Sequence, residues 1–104
     1  MSIPRLMAID PSLTCSGWAL FSVAKADLVA VGKLRALPAQ QPMGVRLKDL
    51  QNRIDEMLAK LALGPHDVMV CEAPTTMRDP GAAFKVEQVR GIFETVARSR
   101  GLVV

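Results

Sequence analysis

No run of apolar residues in this sequence approaches the ~18 needed to cross a bilayer as a helix, so a membrane-spanning helix is not expected. The first residues, Met1-Ser2-Ile3-Pro4-Arg5, carry no secretory h-region and no small-residue cleavage site. There are only two cysteines, Cys15 and Cys71; their spacing matches no metal-ligand pattern, and one pair cannot make a disulfide framework. They read as small buried hydrophobes of a reduced, cytoplasmic protein. Nor is there any block of five or six like charges. The 13 basic and 10 acidic residues are dispersed, and the resulting +3 is compatible with a nucleic-acid partner without arguing for one. No internal repeat or linker divides the chain. With 104 residues, half of them apolar and 22% charged, it reads as one globular domain at most.

What is present is a pair of acids in matching places. Leu6-Met7-Ala8-Ile9-Asp10 and Val68-Met69-Val70-Cys71-Glu72 are short apolar runs, each closed by a carboxylate and followed at once by turn material. An isolated carboxylate at such a strand end costs several kcal/mol of desolvation unless it is compensated. Two of them at equivalent ends suggest one shared compensator. A divalent cation is the simplest, because Mg²⁺ is held by one or two carboxylates together with substrate phosphates. Like charges at ~4 Å repel by about 4 kcal/mol at an effective dielectric of 20. The alternatives are ordinary: Asp10 capping the next turn through the Ser12 or Leu13 amide, and Glu72 paired with a lysine or arginine.

Around these acids the pattern predicts strands over 5–10, 18–24 and 28–34, joined by short connections as antiparallel hairpins. Helical periodicity follows over 44–63, where Leu47, Leu50, Ile54, Met57, Leu58 and Leu61 share a face. Asp49 with Arg53 and Glu56 with Lys60 form i, i+4 pairs on the other face. Gly64-Pro65 is the expected stop. The unbroken apolar run at 68–72 reads as a parallel strand buried on both faces. A second helix is expected over 82–100, with Ala83, Val86, Val89, Phe93, Val96 and Ala97 inward, Gly91 as a close packing contact, and Gly101 as its end. Leu102-Val103-Val104 begins a fifth strand and stops, so the chain reads as the front part of a longer domain. The expected class is α/β, a mixed sheet of three antiparallel strands and then parallel strands, flanked by helices. Cys71 should point away from the Glu72 face.

These residues resemble the RuvC family of Holliday junction resolvases, of the ribonuclease H-like superfamily. That family opens on an apolar strand ending Ile-Asp-Pro-Gly, then Thr-Gly-Tyr or Thr-Gly-Trp; here stand Ile9-Asp10-Pro11-Ser12 and Ser16-Gly17-Trp18. Its second block is a strand ending in Glu, a loop, and a helix with Gln-x-Arg-Gly; here stand Glu72 and Gln88-Val89-Arg90-Gly91. Arg46-Leu47-Lys48 fits the start of the intervening helix. The resemblance implies a homodimeric endonuclease that nicks four-way DNA junctions using Mg²⁺ (or Mn²⁺ as a substitute) in recombination and repair. Asp10 and Glu72 match the first two of its four carboxylates; the other two, an Asp-x-x-Asp pair after the fifth strand, fall beyond this sequence, and the segment alone is expected to be inactive. Ser12 replaces the usual glycine. Thr75 stands where well-studied members carry a base-stacking aromatic.

Arg78, Lys85 and Arg90 are the candidate phosphate contacts. Asp79 reads as turn chemistry rather than a third ligand, His66 as an exposed connector residue, and Thr14 and Ser16 as hydrogen-bonding within the first turn. A non-catalytic nucleic-acid-binding remnant is the main alternative. An actin-like or sugar-kinase nucleotide domain is a further one, although Pro11-Ser12-Leu13 fits its Asp-x-Gly-Thr/Ser loop poorly.

Overall fold

The computed structural model describes residues 4–73 and 80–104. Three strands come first, β1 (Arg5–Asp10), β2 (Cys15–Ser22) and β3 (Asp27–Arg35), then helix α1 (Met43–Lys60), strand β4 (Val68–Cys71) and helix α2 (Pro80–Ser99). The sheet order is β3-β2-β1-β4, with β1 antiparallel to β2 and parallel to β4. A bridge between Val68 and Val103 places the last residues parallel to β4 on its outer side, where a fifth strand is expected.

Both helices cover one face of the sheet. Met7 and Ile9 of β1, Leu20 of β2 and Met69 of β4 point into a core completed by Leu50, Ile54, Met57 and Leu58 of α1 and Val89, Phe93, Val96 and Ala97 of α2. The periodic apolar faces thus do what amphipathic helices do: each buries its stripe and leaves most of its charges in water, Arg46 of α1 being buried. Asp49 and Arg53 pair at 2.9 Å as expected. Glu56 and Lys60 do not come within ion-pair distance; both are exposed, where such a pair is worth too little to hold two long side chains together.

Several expectations are corrected. β2 begins at Cys15 rather than Trp18, because its first residues pair with β3, Cys15 with Arg35 and Ser16 with Leu34, before β1 is reached at Gly17. Helix α1 ends at Lys60, four residues before Gly64. Ala62 takes the left-handed conformation (φ 54°), Ala62 N–H donates to Ala59 O and Leu63 N–H to Leu58 O, the double bond of a Schellman cap. Arg5 makes a glycine stop unnecessary, its guanidinium donating to Leu61 O and Ala62 O at 2.7 Å each. Gly101 closes α2 as expected, by the same pattern at φ 85°. Gly91 is exposed, and a Cβ placed there would meet nothing within 4 Å, so it is not a close helix contact. Gly32 is the glycine that packing requires. A Cβ there would lie 2.5 Å from Trp18 Cζ2, because the indole edge rests on that strand. Finally, β4 is covered on one face only: Met69 is buried, but Val70 is 50% exposed. The opposite face of the sheet is open among the described residues.

Candidate functional site

The open face carries the two acids. β1 and β4 pair in parallel from Leu6 with Val68 to Ile9 with Cys71, and Glu72 N–H donates to Ile9 O at 2.9 Å. One further step of that register sets Asp10 beside Glu72. Alternation in the strands then sends both to the same face as Ala8 and Val70, away from Met7, Ile9 and Met69. Ala8, Gly17, Ala19 and Val70 form the small-residue floor of a shallow concavity of 500 Å³ whose rim includes Asp10 and Glu72. Both acids are exposed, and neither carboxylate has a hydrogen-bond or ion-pair partner among the described residues. Cys71 points to the helix side, as expected from alternation.

The turn that follows Asp10 is held by hydroxyls. Ser16, 1% exposed, accepts from Ser12 N–H at 2.9 Å and donates to Ser12 O at 3.1 Å. Ser12 Oγ accepts from Thr14 N–H at 3.2 Å and lies 3.0 Å from Thr14 Oγ1. These bonds use the amide and hydroxyls that would otherwise cap Asp10 or meet a phosphate. They also show why serine serves where a glycine was expected. Ser12 does not take a positive φ, and its hydroxyl ties the turn as a glycine could not.

From behind, Arg46 of α1 reaches the same turn. It is 6% exposed and donates from Nη2 to Leu13 O at 2.9 Å and from Nε to Leu37 O at 3.1 Å. At the far end of β1, buried Asp67 accepts from Arg5 N–H and Gly64 N–H at 2.9 Å, fixing the start of β1 against that of β4. The β1–β4 pair is thus tied at its start through Asp67, and the turn leaving β1 is tied to α1 through Arg46.

The basic candidates fare unequally. Arg78, with Thr75 and Asp79, lies outside the described residues. Lys85 is exposed on the second turn of α2. Arg90 is engaged within its own helix, with Nη1 3.2 Å from Glu87 and Nε 3.7 Å from Glu94. No described contact brings Lys85 or Arg90 to Asp10 or Glu72. Glu94 and Arg90 act instead on Cys71. Burial first, and then the Glu94 carboxylate, push its thiol up to about 11 against the opposing pull of Arg90. His66 is exposed, as read from sequence. One cation was missed. Lys33 shares a cross-strand row with Asp10 through Gly17, since Gly17 pairs with both. Extending the hairpin register across the short connections would have found it.

No cluster of three or more His, Cys, Asp or Glu exists among the described residues. Two free carboxylates on adjacent strand ends nonetheless fit the hard-oxygen donors that Mg²⁺ or Mn²⁺ takes, as part of a larger ligand set.

This arrangement defines a ribonuclease H-like α/β domain with a pair of acids at the open end of β1 and β4. The comparisons narrow it further: over nearly all of its length the chain is similar to RuvC proteins. It is 30% identical over 101 residues to the crossover junction endodeoxyribonuclease RuvC of Xanthobacter autotrophicus. It is 31% identical over 101 residues to that of Azorhizobium caulinodans. Each alignment covers 96% of this chain, and the chain spans 58% of the length of either relative. The Thermus thermophilus RuvC bound to a Holliday junction substrate superposes with a TM-score of 0.78 at 22% identity, over 94% of this chain and 60% of that one. A second Thermus thermophilus RuvC structure gives 0.75. No family model matches the sequence. No helix among the described residues is long and apolar enough to cross a membrane.

Proposed function

We propose that this chain is the front part of a single metal-dependent DNA endonuclease domain that acts on branched DNA, with four-way junctions as the substrate. The observation that carries this reading is the parallel β1–β4 register, which turns two unpaired carboxylates onto one concavity. Asp10 and Glu72 are the first two metal ligands, and the remaining ligands come from outside these 104 residues. Mg²⁺, or Mn²⁺ in its place, would activate the attacking water and stabilise the leaving oxygen of the phosphodiester. The chain's own contribution is to present two hard oxygen donors side by side at the ends of two paired strands. The 104 residues alone are inactive in this reading, since half of the ligand set is missing. The active species is a homodimer, so that two symmetric nicks resolve one junction.

Arg78 and Lys85 are the candidate phosphate contacts flanking the site. Arg90 serves DNA only by exchanging its pairing with Glu87 and Glu94 for a phosphate; otherwise it orders α2. The test is Mn²⁺ binding by the full protein, its Asp10→Asn variant and its Glu72→Gln variant. Each substitution should weaken binding strongly, and unchanged affinity in both would remove the site. Cleavage of a synthetic four-way junction by the full protein tests the substrate class. Metal binding without cleavage of any branched DNA would favour the non-catalytic alternative.

A further inference from the structure

We propose that Arg46 is a positioning residue for Asp10, a buried clamp that fixes the direction in which β1 hands its carboxylate to the metal. This rests on the metal-ligand reading above. Arg46 is 6% exposed and has no carboxylate within ion-pair distance among the described residues. Burying a guanidinium without a counter-charge is costly, and a helix that needed only packing would carry a leucine there. What the charge gains is two carbonyls in two different segments: Leu13 O, in the turn that leaves Asp10, and Leu37 O, in the connection from β3 to α1. A third bond, Ala36 N–H to Thr14 O at 2.8 Å, stitches the same two segments together. The turn that follows Asp10 is thereby tied to the helix layer, from the side opposite to the concavity. Arg46 touches neither acid, so its effect on a metal passes through the backbone of residues 11–14.

The fold supplies a control. Arg5 also donates to two carbonyls, Leu61 O and Ala62 O, and in addition pairs with Asp67 at 3.4 Å, all at the end of β1 remote from Asp10. The experiment is Mn²⁺ titration of the full protein by electron paramagnetic resonance, with thermal unfolding of each variant measured alongside. Arg46→Met should weaken Mn²⁺ binding about tenfold. Arg46→Lys keeps the buried charge but cannot hold both carbonyls, and should weaken it by at least roughly threefold. Arg5→Met should lower the melting temperature comparably while leaving affinity within about threefold of the original. If Arg46→Met does not fold, Arg46→Lys decides alone. The clamp is overturned if the Arg46→Lys affinity stays within that margin, or if Arg5→Met weakens binding as much as the Arg46 variants. No Mn²⁺ binding by the unsubstituted protein would overturn the metal reading and the clamp together.

Discussion

Replacing Asp10 with asparagine should stabilise the metal-free protein and destabilise it relative to the unsubstituted chain once metal is present. Adjacent strands lie ~4.8 Å apart, and the β1–β4 register makes Asp10 and Glu72 lateral neighbours. Two unit charges ~5 Å apart repel by about 3 kcal/mol at a dielectric of 20 but by about 0.8 kcal/mol at that of water. Both side chains are exposed, so the smaller figure governs. In a chelator at low salt, Asp10→Asn should therefore gain about 0.8 kcal/mol, a rise of roughly 3–6 °C in melting temperature for a domain of this size. Raising ionic strength to ~1 M, where the Debye length falls to ~3 Å, should erase most of the gain. Metal reverses the order. At a hundredfold excess over its dissociation constant a ligand adds about 2.7 kcal/mol to the state that binds it. The unsubstituted protein collects this and the variant does not. Glu72→Gln should behave alike, and the double variant should gain no more than either single one, because there is one repulsion to remove. The assay is thermal unfolding in chelator and in Mn²⁺. Destabilisation by Asp10→Asn in chelator, or fully additive gains in the double variant, would refute the neighbour relation.

Three further outcomes follow from packing and titration. Gly32→Ala forces a Cβ into the Trp18 indole and should cost roughly 1–3 kcal/mol in urea unfolding; Trp18 is the one tryptophan of the chain, so its emission reports the displacement directly. Ala62→Gly relieves a left-handed alanine and should add roughly 0.5–1 kcal/mol by chemical denaturation. With its thiol pushed up to about 11 from the ordinary 9.0, Cys71 should alkylate at pH 8 about a hundredfold more slowly than an unperturbed thiol. The folded chain holds a proton here that the unfolded chain releases. The associated stability is therefore complete below pH 9.0 and lost as pH rises through about 11, and Cys71→Ala should abolish that dependence.

The open face of the sheet explains why the site lies where it does. Both helices pack on the side of Met7, Leu20 and Met69, so Ala8, Ala19 and Val70 are left accessible beside the acids. The proposed metal and phosphodiester would need such access. An acid on the helix side would have been buried among Phe93 and Ile54 with no partner at all.

Local order was written in the sequence. Short apolar runs announced the strands and a period-3.6 apolar pattern the two helices, because an element must carry apolar residues where it meets the core. Strand-end acids were visible for the same reason: a carboxylate breaks an apolar run wherever it stands. Tertiary structure decided what pairs with what. That β1 and β4 are neighbours, that Ser12 and Ser16 tie a turn, that Arg46 reaches Leu13 from behind and that Lys33 shares a row with Asp10 all join residues far apart in sequence or bonded through the main chain. Periodicity carries no record of such partners. It reports which face of an element avoids water, while the identity of the neighbour across that face is settled only when the whole chain closes around one core.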